Sequence, residues 1–411
     1  MSHIAVIGAG ITGVTTAYSL SKRGMNVTVF DRHRYPAMET SFANGGQLSA
    51  SNAEVWATWA TVLKGLKWML RCDAPLLVGP APTWHKMSWM AEFLAQIPRY
   101  RANTEETVRL AMAARPVLRE MAEVTGAGFD FSPAGILHFY ETEKDMAWAR
   151  GVTEMYRRAG LERREVSPEE ISEIEPNLRA DAVGGFWTES DSTGDIHKFT
   201  CGVADWLERT GAAAFRLGRE TRDIRTVDGG VEVDGERFDG VVVCAGVGSR
   251  AIAAGLGDRV NVYPVKGYSI TVNLRDETSR AAAPRVSLLD DAAKVVTSRL
   301  GEDRFRVAGT AEFAGFDRDI RADRIRPLTA WVERHFPEVS TESVVPWAGL
   351  RPMMPSMMPV VGRGKRERVF YNTGHGHLGW TLSPVTAEMV GDVVAGALPA
   401  ASSAGLQIAA E

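Results

Sequence analysis

Short apolar runs alternate with helically spaced apolar positions, and at the start of the chain they predict a strand–turn–helix–strand unit. His3–Ile7 is the compact apolar run that a buried parallel strand requires. From Ile11 to Arg23, Val14, Ala17, Tyr18 and Leu20 recur at helical spacing, and Gly24 is the expected stop. Val27–Phe30 forms a second strand that ends at Asp31. Residues 53–125 read as mainly helical, broken at Pro75, Pro80, Pro82 and Pro98. A strand over 135–140 and a helix over about 143–159 follow, then a helix start at Ser167-Pro168-Glu169-Glu170. Residues 197–209 predict a helix, and 214–217, 222–227 and 231–234 predict strands. Asp239 to Gly246 is a second buried strand running into a glycine turn. Residues 259–320 are strand-rich, 323–336 helical and 369–372 a strand. Residues 374–379 read as a loop, and 386–397 as the last helix. There is no internal repeat, and disorder is expected only in the last dozen residues.

The 411 residues, 45% of them hydrophobic, exceed one ordinary core, so two domains are expected. Charged residues make up 24%, with a net charge of −4, and no basic stripe points to nucleic acid. Cys72, Cys201 and Cys244 are widely spaced, which argues against a disulfide framework or zinc site and suits a reducing compartment. No secretory signal and no apolar run of spanning length is visible, so a cytoplasmic location is expected. Trp56, Trp59, Trp68, Trp84 and Trp89 cluster with Lys64, Lys67, Arg71 and Lys86. Tryptophan beside basic residues suits a peripheral membrane interface. The commoner use of such aromatics is to line a substrate domain or subunit interface.

The turn Gly8-Ala9-Gly10-Ile11-Thr12-Gly13 carries the first chemistry. Gly8 permits the tight turn, Gly10 lets backbone approach a pyrophosphate, and Gly13 lets helix pack on strand. The helix N-terminus at Ile11 and Thr12 offers free N–H groups to the phosphates. Asp31, 18 positions after Gly13, suits a ribose diol and disfavours a 2′-phosphate; Arg32 adjoins it. This predicts a dinucleotide without deciding between NAD and FAD. Cys244-Ala245-Gly246 repeats the strand-then-glycine pattern. In Asn372 to Thr381, glycines at 374, 376 and 379 imply backbone lying close to something flat or charged, and a following helix can stabilise negative charge. His375 and His377 have no carboxylate or cysteine at ligand spacing, so no metal is expected. Arg351, between Gly349-Leu350 and Pro352, is the leading anion-binding candidate. Tyr268 suits a pocket wall or, by strand alternation with Ile270, the core.

With these segments the chain resembles the D-amino-acid oxidase superfamily of flavoproteins, and within it the catalytic subunit of bacterial D-amino-acid dehydrogenases. The resemblance runs nearly end to end through Glu39–Gln47, Tyr263–Ser269, Trp347–Met353 and Thr373–Thr381. It implies non-covalent FAD. Ser41, Asn44, Gly45, Gly46, Gln47 and Leu48 would lie along the flavin and ribityl chain, and Thr221 near the adenine. Gly349 belongs to a substrate-carboxylate loop, and Gly376, His377, Leu378, Gly379, Trp380 and Thr381 to the flavin's pyrimidine edge. Arg351, Tyr268 and His377 are the catalytic candidates, with Arg351 clamping the substrate carboxylate.

The expected fold class is α/β: a Rossmann-type FAD-binding domain (1–52, 191–258 and 345–400) interleaved with an α+β substrate domain. The latter (53–190 and 259–344) would be built on a large mixed or antiparallel sheet, and 401–411 would be a tail. The resemblance implies oxidation of an amino acid at Cα, with electrons passed to a quinone or other carrier. Glycine and secondary amines such as sarcosine or cis-4-hydroxy-D-proline are the competing substrates. A flavin-binding redox sensor or assembly subunit is the competing non-enzyme. Two departures bear on the substrate pocket. Pro355-Ser356-Met357-Met358-Pro359 lacks the family's acid and glycine, and Ala292-Ala293 stand where an aromatic is usual. Met357, Met358 and Ala293 are therefore expected to shape that pocket.

Overall fold

The computed structural model describes residues 1–68, 76–79 and 82–398. The expected tail, Cys72 and Arg71, and the side chains of Lys67 and Trp68, lie outside what is described.

Among the described residues, a six-stranded sheet has the order Val360–Arg363, Val369–Thr373, Gly240–Val243, His3–Ile7, Asn26–Asp31, Ala214–Leu217. All neighbours are parallel except the Val360–Arg363 edge strand. Its central strands are apolar on both faces because both are covered; Ile4, Ala5, Val6 and Val241–Val243 have no exposure. Helices Ile11–Lys22, Ile196–Arg209 and Gly379–Ala395 contribute to the core on one face.

A second, nine-stranded sheet is mixed. At its heart, Tyr263–Asn273 pairs antiparallel with Val344–Met353 on one side and Arg304–Phe313 on the other. Val295–Leu300, Ser287–Asp290, Ile136–Tyr140, Gly184–Thr188 and Arg164–Val166 extend it. Helix Ala322–His335 packs its Leu328, Trp331 and Val332 against this sheet.

Three expectations change. Trp347–Met353 is not a loop but part of the ten-residue Val344–Met353 strand, and it is hydrogen-bonded into the large sheet. The third nucleotide-domain segment therefore returns to the six-stranded sheet only at Val360, not at 345. The last helix begins at Gly379, seven residues before the expected Thr386. Pro384 breaks the ladder inside it, and Ser383 Oγ reaches the Trp380 carbonyl at 3.5 Å. Burial of Trp380 and Leu382 keeps that first stretch helical.

Candidate active site

One cavity of about 1520 Å³ runs between the two sheets. Drug-sized ligands occupy roughly 300–1,000 Å³, so there is room for a large ligand with a small one beside it.

The cavity begins at the N-terminal turn. Gly8 takes φ +112°, and a Cβ there would sit 2.6 Å from the Cys244 carbonyl oxygen. A Cβ on Gly13 would sit 1.7 Å from the Gly8 carbonyl oxygen, so the helix packs onto the strand only as glycine allows. Gly8, Gly10, Ile11, Thr12, Cys244, Ala245 and Gly246 line the cavity; Gly13 lies behind it. Asp31 points into this end, with Oδ2 accepting the Ala9 N–H at 2.7 Å and Oδ1 the His33 N–H at 2.8 Å. Each oxygen keeps a lone pair for a ribose hydroxyl. Arg32 is held by Glu39, which also meets His33 and Arg318. Thr221 lines the same end.

The 41–47 segment crosses between the sheets. Ser41 Oγ accepts the Ile11 N–H at 3.0 Å. The carbonyls of Asn44 and Gly45 accept bonds from Arg306 and Ser298 of the large sheet. Gln47 donates to Ser287 and to the Leu288 carbonyl, while its buried Oε1 has no partner. Ser41, Asn44, Gly45, Gly46 and Gln47 line the cavity; Leu48 does not, being packed in the core. At the far wall, Gly349, Gly376, His377, Leu378, Gly379, Trp380 and Thr381 all contribute. The Gly379–Ala395 helix points its N-terminus there, where first-turn N–H groups lack intrahelical partners.

Arg351 also lines the cavity. Its guanidinium lies across Gly267, where a Cβ would come within 2.3 Å of Cζ. One N–H donates to the Thr310 carbonyl at 2.8 Å. Among the described residues it has no carboxylate partner, and burial alone lowers its pKa to about 10, so it remains charged at neutral pH. Thr310 takes φ +58° where the Tyr263–Asn273 and Arg304–Phe313 strands shift register. Such a bulge re-aims backbone next to a site, and here it turns a carbonyl onto Arg351. We expect Gly267→Ala to fold, because the guanidinium can swing aside. Steady-state kinetics should show substrate KM raised on the order of 10²-fold by the misplaced arginine.

Tyr268 contributes to the cavity wall, while its hydroxyl donates to the buried Glu312 at 2.9 Å, beside Lys266. His377 donates Nε2–H to the Asn52 carbonyl at 3.2 Å and stacks on Trp56 at 4.9 Å. Burial lowers its pKa to about 4, with Arg351 and Lys294 adding to the effect. It is a neutral imidazole at neutral pH and a weak base.

Met357, Met358 and Ala293 do not reach the cavity. Met357 is buried beside Trp89 and Tyr263, and its sulfur accepts the Trp56 N–H. Met358 meets the Thr107 hydroxyl, and Ala293 packs against the core. Flanking Ala293, Asp291, Ala292 and Lys294 are the residues that line the cavity. Other lining residues had no sequence signal: Glu54, His138, Tyr140, Tyr156 and Arg163. Asp191 was also missed. It is buried, pairs with Arg115 and accepts the N–H groups of Ala50 and Ser51 and the Ser49 hydroxyl. That turn holds the Asn52 carbonyl under His377.

The tryptophan cluster divides. Trp89 is core and Trp56 lines the cavity, whereas Trp59 and Trp84 are 64% and 82% exposed. Among the described residues no helix is long and apolar enough to cross a membrane.

A parallel sheet with a glycine turn, a ribose-facing acid and a second helix N-terminus define a dinucleotide-dependent oxidoreductase. The residues fit FAD: the glycine cradle is open, Gln47 Oε1 lacks a partner, and the cavity extends past a dinucleotide to Arg351. The chain matches the FAD dependent oxidoreductase family over residues 3–393 and belongs to it. It is 58% identical to D-amino acid dehydrogenase 3 of Mesorhizobium japonicum, over 97% of this chain and 98% of that protein. To the D-amino acid dehydrogenase of Paramagnetospirillum magneticum it is 40% identical, over 98% of both. Glycine oxidase from Geobacillus kaustophilus shares the fold with a TM-score of 0.75 at 20% identity, covering 97% of this chain and 96% of that one. FAD is therefore the cofactor.

Proposed function

We propose that the protein oxidises a D-amino acid to the imino acid and passes the electrons to a quinone or other carrier. The observation that carries this is Arg351, a half-buried guanidinium with no acid partner among the described residues, in the cavity that the FAD cradle opens into. An uncompensated buried charge calls for a counter-ion, and a planar guanidinium suits a carboxylate. The relatives' names supply the D-amino acid. FAD, when bound, accepts the Cα hydride at N5. Arg351 orients the substrate through its carboxylate. The Asn52 carbonyl takes the one N–H of neutral His377, which packs with Trp56 on the cavity wall beside the substrate. Because His377 is a weak base, the amine's proton leaves to water, and positioning supplies most of the catalysis. Water then hydrolyses the imine.

Exposed Trp59 and Leu63 share one helical face, as do Trp84 and Met87, and Lys64 sits at the cavity wall. These features support peripheral membrane contact, which would bring a lipid-borne acceptor within reach.

The test is anaerobic mixing of the FAD-loaded protein with D- and L-amino acids, glycine, sarcosine and hydroxyproline isomers. Bleaching by D-amino acids is expected. Bleaching by glycine or sarcosine alone would replace them with a glycine- or secondary-amine-oxidising reading, and bleaching by none would leave a flavin-binding sensor.

A further inference from the structure

Beyond Arg351 the cavity continues into a region that the carboxylate clamp does not use. Its wall includes the hairpin between Ser287–Asp290 and Val295–Leu300, which carries Asp291 and Lys294 as an ion pair. Lys294 keeps 47% and Asp291 30% of its side-chain surface accessible, and both line the cavity. Lys294 holds φ +56° at the end of the hairpin turn.

Opposite charges come from other segments. The Glu54 carboxyl accepts the Tyr100 hydroxyl at 2.6 Å, and burial pushes its pKa up. Arg163 donates to Tyr140 and Thr153 at 3.2 and 3.1 Å; its buried Nε has no partner among the described residues. The Tyr140 and Tyr156 hydroxyl oxygens accept bonds from Arg163 and the Glu54 N–H, which leaves both O–H protons to donate. Glu54, Lys294, His377 and Arg351 all line the same cavity, so this wall is continuous with the Arg351 end.

The charged groups lining this region include two acids, Asp291 and Glu54, and two cations, Lys294 and Arg163. An acidic side chain would meet the carboxylates, and a basic one the cations. A plain aliphatic chain would strip water from these groups without replacing its hydrogen bonds. We propose that this is a subsite for a neutral substrate side chain that both donates and accepts a hydrogen bond, a hydroxyl above all, with Lys294 as a specificity-determining residue. The inference rests on the amino-acid-oxidising reading above and narrows its substrate class.

Anaerobic stopped-flow reduction of the FAD-loaded enzyme tests it with matched pairs: D-alanine and D-serine, D-2-aminobutyrate and D-threonine, D-proline and cis-4-hydroxy-D-proline. In the fastest pair the hydroxylated member should have a reduction rate over Kd about 10- to 100-fold above its deoxy partner. Lys294→Met should bring that ratio to near unity, and Lys294→Gln, which keeps a donor, should retain part of it. FAD content read from the flavin spectrum reports whether either variant folds. Deoxy partners that match or exceed the hydroxylated members, an acidic or basic amino acid as best substrate, or a ratio untouched by both variants would overturn the subsite. If no amino acid at all reduces the flavin, the parent reading fails instead.

Discussion

Arg351→Met should lower kcat/KM for the best amino acid by about 30-fold to several thousand-fold, with FAD content unchanged. The range follows from the roughly 2–5 kcal/mol lost when one partner of a buried hydrogen-bonded charge pair is truncated. The mutant is expected to fold. Its guanidinium makes one bond, to the Thr310 carbonyl, and no ion pair among the described residues. Methionine fills similar apolar volume and removes a buried charge that burial already disfavours. FAD stays because the glycine turn, Asp31 and Gln47 lie on other elements. The same segregation makes the result interpretable: a yellow protein with weak substrate binding assigns Arg351 to the carboxylate. Unchanged kcat/KM in a yellow mutant would remove that role.

The second large effect is on the cofactor. Gly13→Ala should unfold the first βα unit or expel FAD, because the new Cβ falls 1.7 Å from one backbone atom and 2.8 Å from another, both of Gly8. Backbone cannot rotate away as a side chain can. Overpacking in a tight core costs about 1–3 kcal/mol and sometimes more, and a helix displaced from this turn also loses its aim at the phosphates. Gly10→Ala is the informative contrast. Its Cβ would meet only Ser41 Oγ, at 3.4 Å, so the apoprotein should keep its thermal midpoint while FAD binding falls. Equal FAD occupancy in wild type and Gly13→Ala, measured by flavin absorbance, would contradict the packing argument.

The glycine turn, the parallel strands and Asp31 were legible in the sequence because their signals are local. A turn needing φ > 0, a four-residue buried strand and a ribose acid at set spacing are written in consecutive residues. Arg351 was legible for the same reason, although its strand was read as a loop. Tyr268 shows where local reading stops. Alternation put it on the face of Ile270, but only the position of Glu312 shows that its hydroxyl is spent there. Met357 and Met358 were misread because a methionine looks alike in a pocket and in a core. Here Trp89 and Thr107, from distant helices, cover them.

By itself, then, the sequence determined an α/β flavoprotein with a dinucleotide cradle and one arginine suited to a carboxylate. Those features depend on backbone conformation and on residues close together in the chain. The tertiary structure alone decided what surrounds that arginine. Glu54, His138, Arg163, Asp291 and Lys294 come from four separated stretches with no shared motif, and their meeting in one cavity depends on how the large sheet and the 49–56 segment pack. Whether a polar side chain serves a ligand or a core partner is set by what lies against it, and that is a property of the assembled fold.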